Sequence, residues 1–164
     1  MESFTPSSIV LSILFAISVV LTFSRSRVPN AQLRSVNNLV LMACGAQLLH
    51  FFEEAVYDLH VRLPEVFGLP AMEYSFFLTI NIGLLIVWLF GAFRRTANSI
   101  VISTFWFLAL ASVFNLLAHP TLTLVTGRYF PGVVTSPVVG VTGVLLLRRL
   151  LQVTRGDLAS GTAG

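Results

Sequence analysis

The chain has 164 residues, of which 55% are hydrophobic and only 10% are charged, and its mean hydropathy is +0.87. Soluble domains carry about 25% charged residues, so this composition excludes an ordinary soluble protein and predicts an integral membrane protein. The net charge of +3 does not predict a nucleic-acid partner, because the arginines flank apolar segments and form no patch interleaved with aromatic residues. A single cysteine, Cys44, excludes an internal disulfide and a cysteine-rich metal site.

Five apolar stretches have the length of about 20 residues that a membrane-spanning helix needs. They cover approximately residues 7–24, 36–57, 74–93, 98–119 and 131–150. Pro120 is expected to stop the fourth stretch, and Pro131 lies in the first turn of the fifth. The predicted fold is an all-α, polytopic membrane helical bundle with five transmembrane helices over residues 1–151, followed by a disordered tail over residues 152–164.

The arginines predict how this bundle lies in the membrane. Five spans place eight of the ten arginines on one side, in the first and third connections and after the fifth span. Only Arg62 and Arg128 fall on the other side. Cytoplasmic loops carry an excess of arginine, so we expect the N-terminus outside and the C-terminus in the cytoplasm. Residues 58–73 then form an outer interfacial or re-entrant segment.

The second stretch carries ionisable residues before its apolar run has ended. A charged group deep in a bilayer costs about 2.5–3.5 kcal/mol on insertion scales. Several such groups on neighbouring turns are therefore expected to face a cavity, a metal or one another. The residues that share one side of a helix there are Gln47, His50, Glu53, Glu54 and Asp58.

The predicted topology brings polar residues of the other stretches to the same outer depth. Asn115 and His119 lie one turn apart in the fourth stretch. Imidazole and carboxylate are good ligands for zinc, iron or manganese, and His and Glu three residues apart occur in the metal sites of helical bundles. The candidate metal ligands are His50, Glu53, Glu54 and His119; the candidate catalytic groups are Glu54, Asn115 and His119; the candidate substrate-binding residues are Asn81, Tyr129 and Thr135.

Simpler structural interpretations stay open for these residues. The acidic residues are also consistent with the wet end of a helix, and His119 with a helix stop before Pro120. Asn81 is more typical of a residue that joins helices than of one that binds a ligand. A recurrence of small residues every four positions is typical of a close-packing stripe on a helix. Those small residues are Gly132, Ser136 and Gly140.

Three motifs, taken in order, resemble those of a bacterial membrane-protein family that is named for its H-x-x-E-E motif and whose function is uncharacterised. They are HFFEE at 50–54, NLLAH at 115–119 and GRYFPGVVTSP at 127–137, and the likeness covers roughly residues 36–150. The resemblance implies a bacterial cell membrane and a functional set made of His50, Glu53, Glu54, Asn115 and His119. A weaker likeness, of the site only, is to membrane-embedded CAAX-type endopeptidases, which activate water with a Glu pair. Asp58 stands where their arginine would fall.

Together these features predict a membrane-embedded enzyme that acts on a membrane lipid or another hydrophobic small molecule. We expect hydrolysis by water that is activated at a divalent metal ion, in the outer half of the bundle. One alternative is a metal-free isomerase or cyclase in which Glu53 and Glu54 share a proton. The others are a transport protein that binds protons or cations and a structural subunit of a larger membrane complex.

Overall fold

The computed structural model describes residues 6–25, 27–94 and 98–154, and the regular secondary structure within these ranges is entirely helical. This agrees with the predicted all-α class. The helices, in chain order, are α1 (Pro6–Ser24), α2 (Asn30–Val56), α3 (Leu59–Val66), α4 (Tyr74–Arg94), α5 (Ser99–Thr126) and α6 (Ser136–Val153).

Four of these helices, α2, α4, α5 and α6, are long and apolar enough to cross a membrane. In α1, the apolar stretch Ile9–Ser24 is shorter than those four. Large apolar side chains lie on the outside of the bundle, where Phe23 is 75% exposed and Leu124 is 82% exposed. Water disfavours so much contiguous apolar surface, whereas the hydrocarbon of a bilayer accommodates it.

The bundle is built around α5, which packs against α1, α6, α2 and α4. Its residues Phe105, Trp106 and Leu108 are fully buried. Two glycines of α6 allow this helix to approach α5 closely. A Cβ atom at Gly140 would lie 2.5 Å from Cβ of Leu116, and one at Gly143 would lie 2.5 Å from Cβ of Ser112. The prediction of a small-residue packing surface is therefore confirmed for Gly140.

Two predicted boundaries are wrong: the end of the fourth span and the start of the fifth. α5 continues through Pro120 to Thr126, because a proline removes only one backbone hydrogen bond and an apolar environment favours keeping the remaining bonds within the helix. α6 begins at Ser136 and not at Pro131. The residues before it form a turn, in which Gly132 has a φ of +89°, a conformation that a helix cannot contain.

The second and last predicted segments also differ from the helices of the structure. α2 begins at Asn30, six positions before the predicted start at 36, and it ends at Val56. Asp58 has a left-handed φ of 59° and is exposed, so it does not share the helix face of His50. The predicted disorder from residue 152 is wrong for 152–154, which α6 and a turn include. The remainder of that predicted tail lies outside the described residues.

The connection after α2 contains the short helix α3, which was predicted only as an interfacial or re-entrant segment. Leu59 of α3 packs with Phe77 of α4 and with Phe130, which precedes α6. Glu65 of α3 accepts a hydrogen bond from Arg128 at 3.2 Å. These contacts bring α3 and the α5–α6 turn together at the end of the bundle where α2 and α5 terminate.

Candidate functional site

Three buried side chains from two helices meet at one point. His50 and Glu54 lie one turn apart near the C-terminal end of α2, and His119 lies on α5. The Nε2 atoms of the two histidines are 3.2 Å apart. Oε1 of Glu54 lies 3.2 Å from Nε2 of His50 and 3.4 Å from Nε2 of His119. These three atoms form the His50–Glu54–His119 triangle, and none of the three residues is more than 6% exposed.

The backbone of the turn before α6 orients His119. Nδ1 of His119 lies 2.5 Å from the carbonyl oxygen of Pro131. A carbonyl oxygen can only accept a hydrogen bond, so Nδ1 carries the hydrogen and donates it. In the neutral ring, Nε2 then bears a lone pair that faces the triangle.

A side chain of the same turn orients His50. Nδ1 of His50 lies 2.8 Å from the hydroxyl oxygen of Thr135, and that hydroxyl lies 2.5 Å from Oε2 of Glu53. The hydroxyl donates its one hydrogen to the carboxylate, so it accepts the hydrogen bond of Nδ1–H. Nε2 of a neutral His50 therefore also bears a lone pair that faces the triangle.

Glu53 anchors the turn that supplies these oxygen atoms. Its Oε1 accepts hydrogen bonds from the Tyr129 hydroxyl at 2.5 Å and from the backbone N–H groups of Gly132 and Val134 at 3.0 and 3.1 Å. Its Oε2 accepts from the backbone N–H of Thr135 at 2.8 Å, and from the Thr135 hydroxyl. Backbone N–H groups can only donate, so this arrangement favours the ionised carboxylate. Glu53 thus holds in place the turn that orients both histidines.

Tyr129 completes this anchor from the exposed side. The residue is 42% exposed, and its ring packs against that of Tyr57 with 5.0 Å between the centroids. Partial burial and, after it, the hydrogen bond to Glu53 raise the pKa of Tyr129 above its usual range. The phenol therefore stays protonated around neutral pH and continues to donate to Glu53.

In the neutral rings of His50 and His119, this hydrogen-bond pattern leaves no hydrogen on the Nε2 atoms of the triangle. When both histidines are neutral and Glu54 is ionised, three electron pairs converge at separations of 3.2–3.4 Å. Such an arrangement is repulsive unless a cation lies among the three atoms. Either a proton or a metal ion would meet this requirement.

The spacing of the triangle suits a tetrahedral metal ion. Zinc binds nitrogen and oxygen at about 2.0–2.1 Å, so two of its tetrahedral ligands are about 3.3–3.4 Å apart. The three edges of the triangle measure 3.2, 3.2 and 3.4 Å. Two histidines and one carboxylate also suit iron(II), and they leave coordination positions open for water. Within the described ranges, this is the group of side chains that could hold a metal ion.

The other predicted site residues are not members of the triangle. Glu53 contacts the turn and is not part of the triangle, and Tyr129 and Thr135 contact Glu53. Asn115 is half-buried one turn before His119, and its side chain makes no hydrogen bond to a described residue. Asn81 donates to the carbonyl oxygen of Phe77 within α4 at 2.9 Å. The substrate-binding roles of Asn81, Tyr129 and Thr135 stay predictions.

Gly132 lies in the site, although its spacing in the sequence predicts a position on a helix-packing surface. A Cβ atom there would lie 2.5 Å from Cε1 and from Nδ1 of His119, and 2.8 Å from Cε1 of His50. Glycine therefore allows the backbone to pass against both rings, at a positive φ that other residues disfavour. The adjacent Pro-Gly pair is a turn signal, but the regular spacing to Gly140 suggested a helix.

Comparisons with known proteins identify the motif and not the chemistry. Residues 41–146 match the model of a family that is described as a protein of unknown function with an HXXEE motif. The motif corresponds to His50, Glu53 and Glu54 of this chain. No curated protein matches the chain, and no solved structure matches it.

Proposed function

The chain belongs to the HXXEE family of proteins of unknown function, and from the geometry of its site we propose that it is a membrane-embedded metalloenzyme. In this proposal the triangle binds one divalent metal ion, with zinc, iron and manganese as candidates. The observation that carries the proposal is the spacing of the three atoms together with the oxygen atoms beside both Nδ1 atoms. These oxygens favour a hydrogen on each Nδ1 and so leave a lone pair on each Nε2 of the neutral rings. Metal-binding histidines commonly donate their other ring N–H to an oxygen in this way.

The reaction that we propose is hydrolysis of a lipid or another hydrophobic small molecule. A divalent metal ion held by the triangle would supply Lewis-acid activation of water at neutral pH. Oε2 of Glu54 makes no hydrogen bond to a described residue, so Glu54 would be the base that accepts a proton from water. Asn115, one turn from His119, is our candidate for holding a substrate oxygen. A hydrophobic substrate is supported by the apolar, exposed surface of the helices that carry the site.

We also propose that α1 is a fifth span and that the site lies in the outer half of the membrane. α1 has 19 residues, which at about 1.5 Å per residue approaches the thickness of the hydrocarbon core. With five spans, the arginine-rich connections face the cytoplasm. The triangle then lies near the non-cytoplasmic surface, together with α3 and the turn before α6.

The first test is metal binding by the purified protein in detergent, after a chelator has removed bound metal. Cobalt(II) serves as the probe, because its visible absorption reports tetrahedral coordination. We expect equimolar binding by the wild type. We expect His50→Ala, Glu54→Gln and His119→Ala to weaken binding by more than the roughly 100-fold that an outer hydrogen-bond partner contributes.

The third histidine of the chain provides a matched control. His60 lies on α3, where its ring packs against those of Tyr74 and Phe77, away from the triangle. His60→Phe keeps an aromatic ring at this position and should leave cobalt affinity unchanged. The metal centre is contradicted if the wild type binds neither cobalt nor zinc. It is also contradicted if His60→Phe abolishes binding and the three substitutions in the triangle do not.

Hydrolysis is tested separately with vesicles made from membrane lipid extracts, in water that carries the heavy oxygen isotope. The metal-loaded wild type should release products that have incorporated one heavy oxygen atom, as detected by mass spectrometry. His119→Ala and the chelator-treated protein should release none. Products without the heavy isotope would contradict hydrolysis and would favour an isomerase or a cyclase.

A metal-free acid–base enzyme is the second candidate, and one observation favours it. A proton on either Nε2 atom would turn the 3.2 Å contact between the histidines into a hydrogen bond. The shared proton would then lie in the triangle and not between the two carboxylates, because Glu53 already accepts hydrogen bonds on both oxygens. Absence of stoichiometric metal, with activity that depends on His50 and Glu54, would support this candidate.

A further inference from the structure

Glu53 shares the family motif with His50 and Glu54, yet both of its oxygens accept hydrogen bonds from the turn before α6. We infer that Glu53 influences the metal centre without binding the metal ion itself. The hydroxyl of Thr135 links the Glu53 carboxylate to Nδ1 of His50, and we call this chain of two hydrogen bonds the relay. Thr135 and Glu53 are positioning residues in it. The relay keeps the Nδ1–H form of His50 and supplies a second negative charge close to the metal ion.

The direction of each hydrogen bond in the relay follows from donor counting. Glu53 receives three backbone N–H groups, which favours its ionised, accepting form. The Thr135 hydroxyl therefore donates to Oε2 at 2.5 Å. With its one hydrogen used there, it can only accept from His50, at 2.8 Å. His119 has the backbone oxygen of Pro131 in the same role, so Thr135 is the partner that a mutation can remove.

The charge of Glu53 has a role because the centre is buried. A divalent ion bound by Glu54 and two neutral histidines would keep one net positive charge, in surroundings where an uncompensated charge is costly. Glu53 places a carboxylate one hydroxyl group away from His50. A ligand histidine that donates towards a carboxylate also becomes a stronger base. This step rests on the proposed metal centre, whereas the assigned proton position on His50 does not.

Two substitutions at Thr135 separate its hydroxyl from its size. Thr135→Val keeps the shape of the side chain and removes the hydroxyl, whereas Thr135→Ser keeps the hydroxyl. We expect Thr135→Val to lower cobalt affinity by roughly 10–100-fold and Thr135→Ser to change it only a few-fold. Thr142→Val is the matched control, because it removes a threonine hydroxyl of α6 that donates to the carbonyl oxygen of Val139 at 2.9 Å and leaves the link to His50. Its cobalt affinity should stay near that of the wild type.

Nitrogen NMR of the histidine rings tests the relay without metal. In the metal-free wild type and in Thr135→Ser, Nδ1 of His50 should carry a proton. In Thr135→Val the neutral ring should move its proton to Nε2, where Glu54 can accept it. A role in folding alone would not move this proton. If Thr135→Val does not fold, Thr135→Ala removes the hydroxyl with no steric demand.

The possible outcomes distinguish the relay from the metal centre. If the wild type binds cobalt and the Val and Ser variants bind it equally well, the relay is overturned and the metal centre stands. An unprotonated Nδ1 of His50 in the wild type would also overturn the relay. If neither the wild type nor any variant binds metal, but the proton of His50 moves from Nδ1 to Nε2 in Thr135→Val, the hydrogen-bonded link is supported and the metalloenzyme proposal fails.

Discussion

The two histidines of the site present the same nitrogen atom to the triangle, but they depend on different partners for it. His119 is fixed by a backbone carbonyl group and His50 by a hydroxyl group. Both partners belong to the turn of residues 130–135, which Glu53 holds through hydrogen bonds. The geometry of the triangle therefore depends on the conformation of a few residues that are not part of it.

Gly132 gives the sharpest prediction at this scale. In Gly132→Ala, the new methyl group would overlap both histidine rings, and alanine would adopt a φ near +89°. Backbone strain of this kind costs about 1–3 kcal/mol, and displaced rings can no longer present their lone pairs to one ion. We expect lower thermal stability and loss of equimolar cobalt binding. Thermal unfolding and cobalt titration measure the two effects.

Gly45→Ala is the control for this substitution, because Gly45 lies on α2, as His50 does, and has open space around its Cβ position. Alanine is favoured over glycine within a helix by about 1 kcal/mol. This variant should therefore be as stable as the wild type or more so, with unchanged cobalt affinity. Equal behaviour of the two alanine variants would show that Gly132 does not control the rings.

The sequence predicted the members of the triangle but not the division of roles between the two glutamates. His50, Glu54 and His119 were predictable because ionisable groups are costly inside apolar helices. Glu53 and Glu54 lie three and four residues after His50, and both spacings place a side chain on the same helix face. Only the turn before α6, far away in the sequence, decides which carboxylate is anchored and which faces the histidines.

Among the structural elements, the contact between α5 and α6 sets the position of His119 relative to the turn. Gly140 allows the two helices to approach at Leu116, one turn before His119. We predict that Gly140→Ala separates the helices, lowers stability by about 1–3 kcal/mol as overpacking does, and weakens cobalt binding. Thermal unfolding with and without cobalt measures both effects. Gly83→Ala on α4, where the added methyl group meets nothing, should leave cobalt binding unchanged and stability equal to that of the wild type or higher.

Asp58 lies at the junction between α2 and α3, and not on the helix face of His50 where the sequence predicted it. Its left-handed φ of 59° is one that aspartate tolerates and glycine adopts without strain. Asp58→Gly should therefore preserve stability and cobalt affinity, whereas the β-branched Asp58→Val should lose about 1–2 kcal/mol of stability. A fall in the cobalt affinity of Asp58→Gly would give this carboxylate a part in the site that its exposed position does not suggest.

Helix positions were more predictable than helix ends, for a physical reason. Apolar length identifies a stretch that can cross a membrane, but the ends depend on local turns. Proline is tolerated in the first turn of a helix and disfavoured in its interior, which predicts a helix end at Pro120 and a helix start at Pro131. In the structure, Pro120 lies inside a helix and Pro131 lies outside one. The difference comes from Gly132, whose pairing with Pro131 is a local turn signal, and from the contacts of its turn with Glu53, which no local sequence signal contains.

In the whole molecule, charge is divided between the two ends of the bundle. The described acidic residues lie within 53–73, around the site, whereas most of the described arginines lie at the opposite end. At that end Arg149 of α6 donates to the hydroxyl oxygen of Ser35 on α2 at 2.7 Å, and Arg25 lies over the ring of Trp106. This division supports an arginine-rich cytoplasmic end and a site near the other surface.

Cysteine labelling tests this orientation in intact cells with a membrane-impermeant maleimide. The buried native thiol is first removed by Cys44→Ala, and then Glu65→Cys, Gln152→Cys or Ser3→Cys is added. We expect labelling of Glu65→Cys in intact cells, and of Gln152→Cys only after permeabilisation, because α4, α5 and α6 separate them. Ser3→Cys should label as Glu65→Cys does if α1 crosses the membrane. Labelling of Ser3→Cys only after permeabilisation would leave four spans, and the reverse pattern at Glu65 and Gln152 would place the site on the cytoplasmic side.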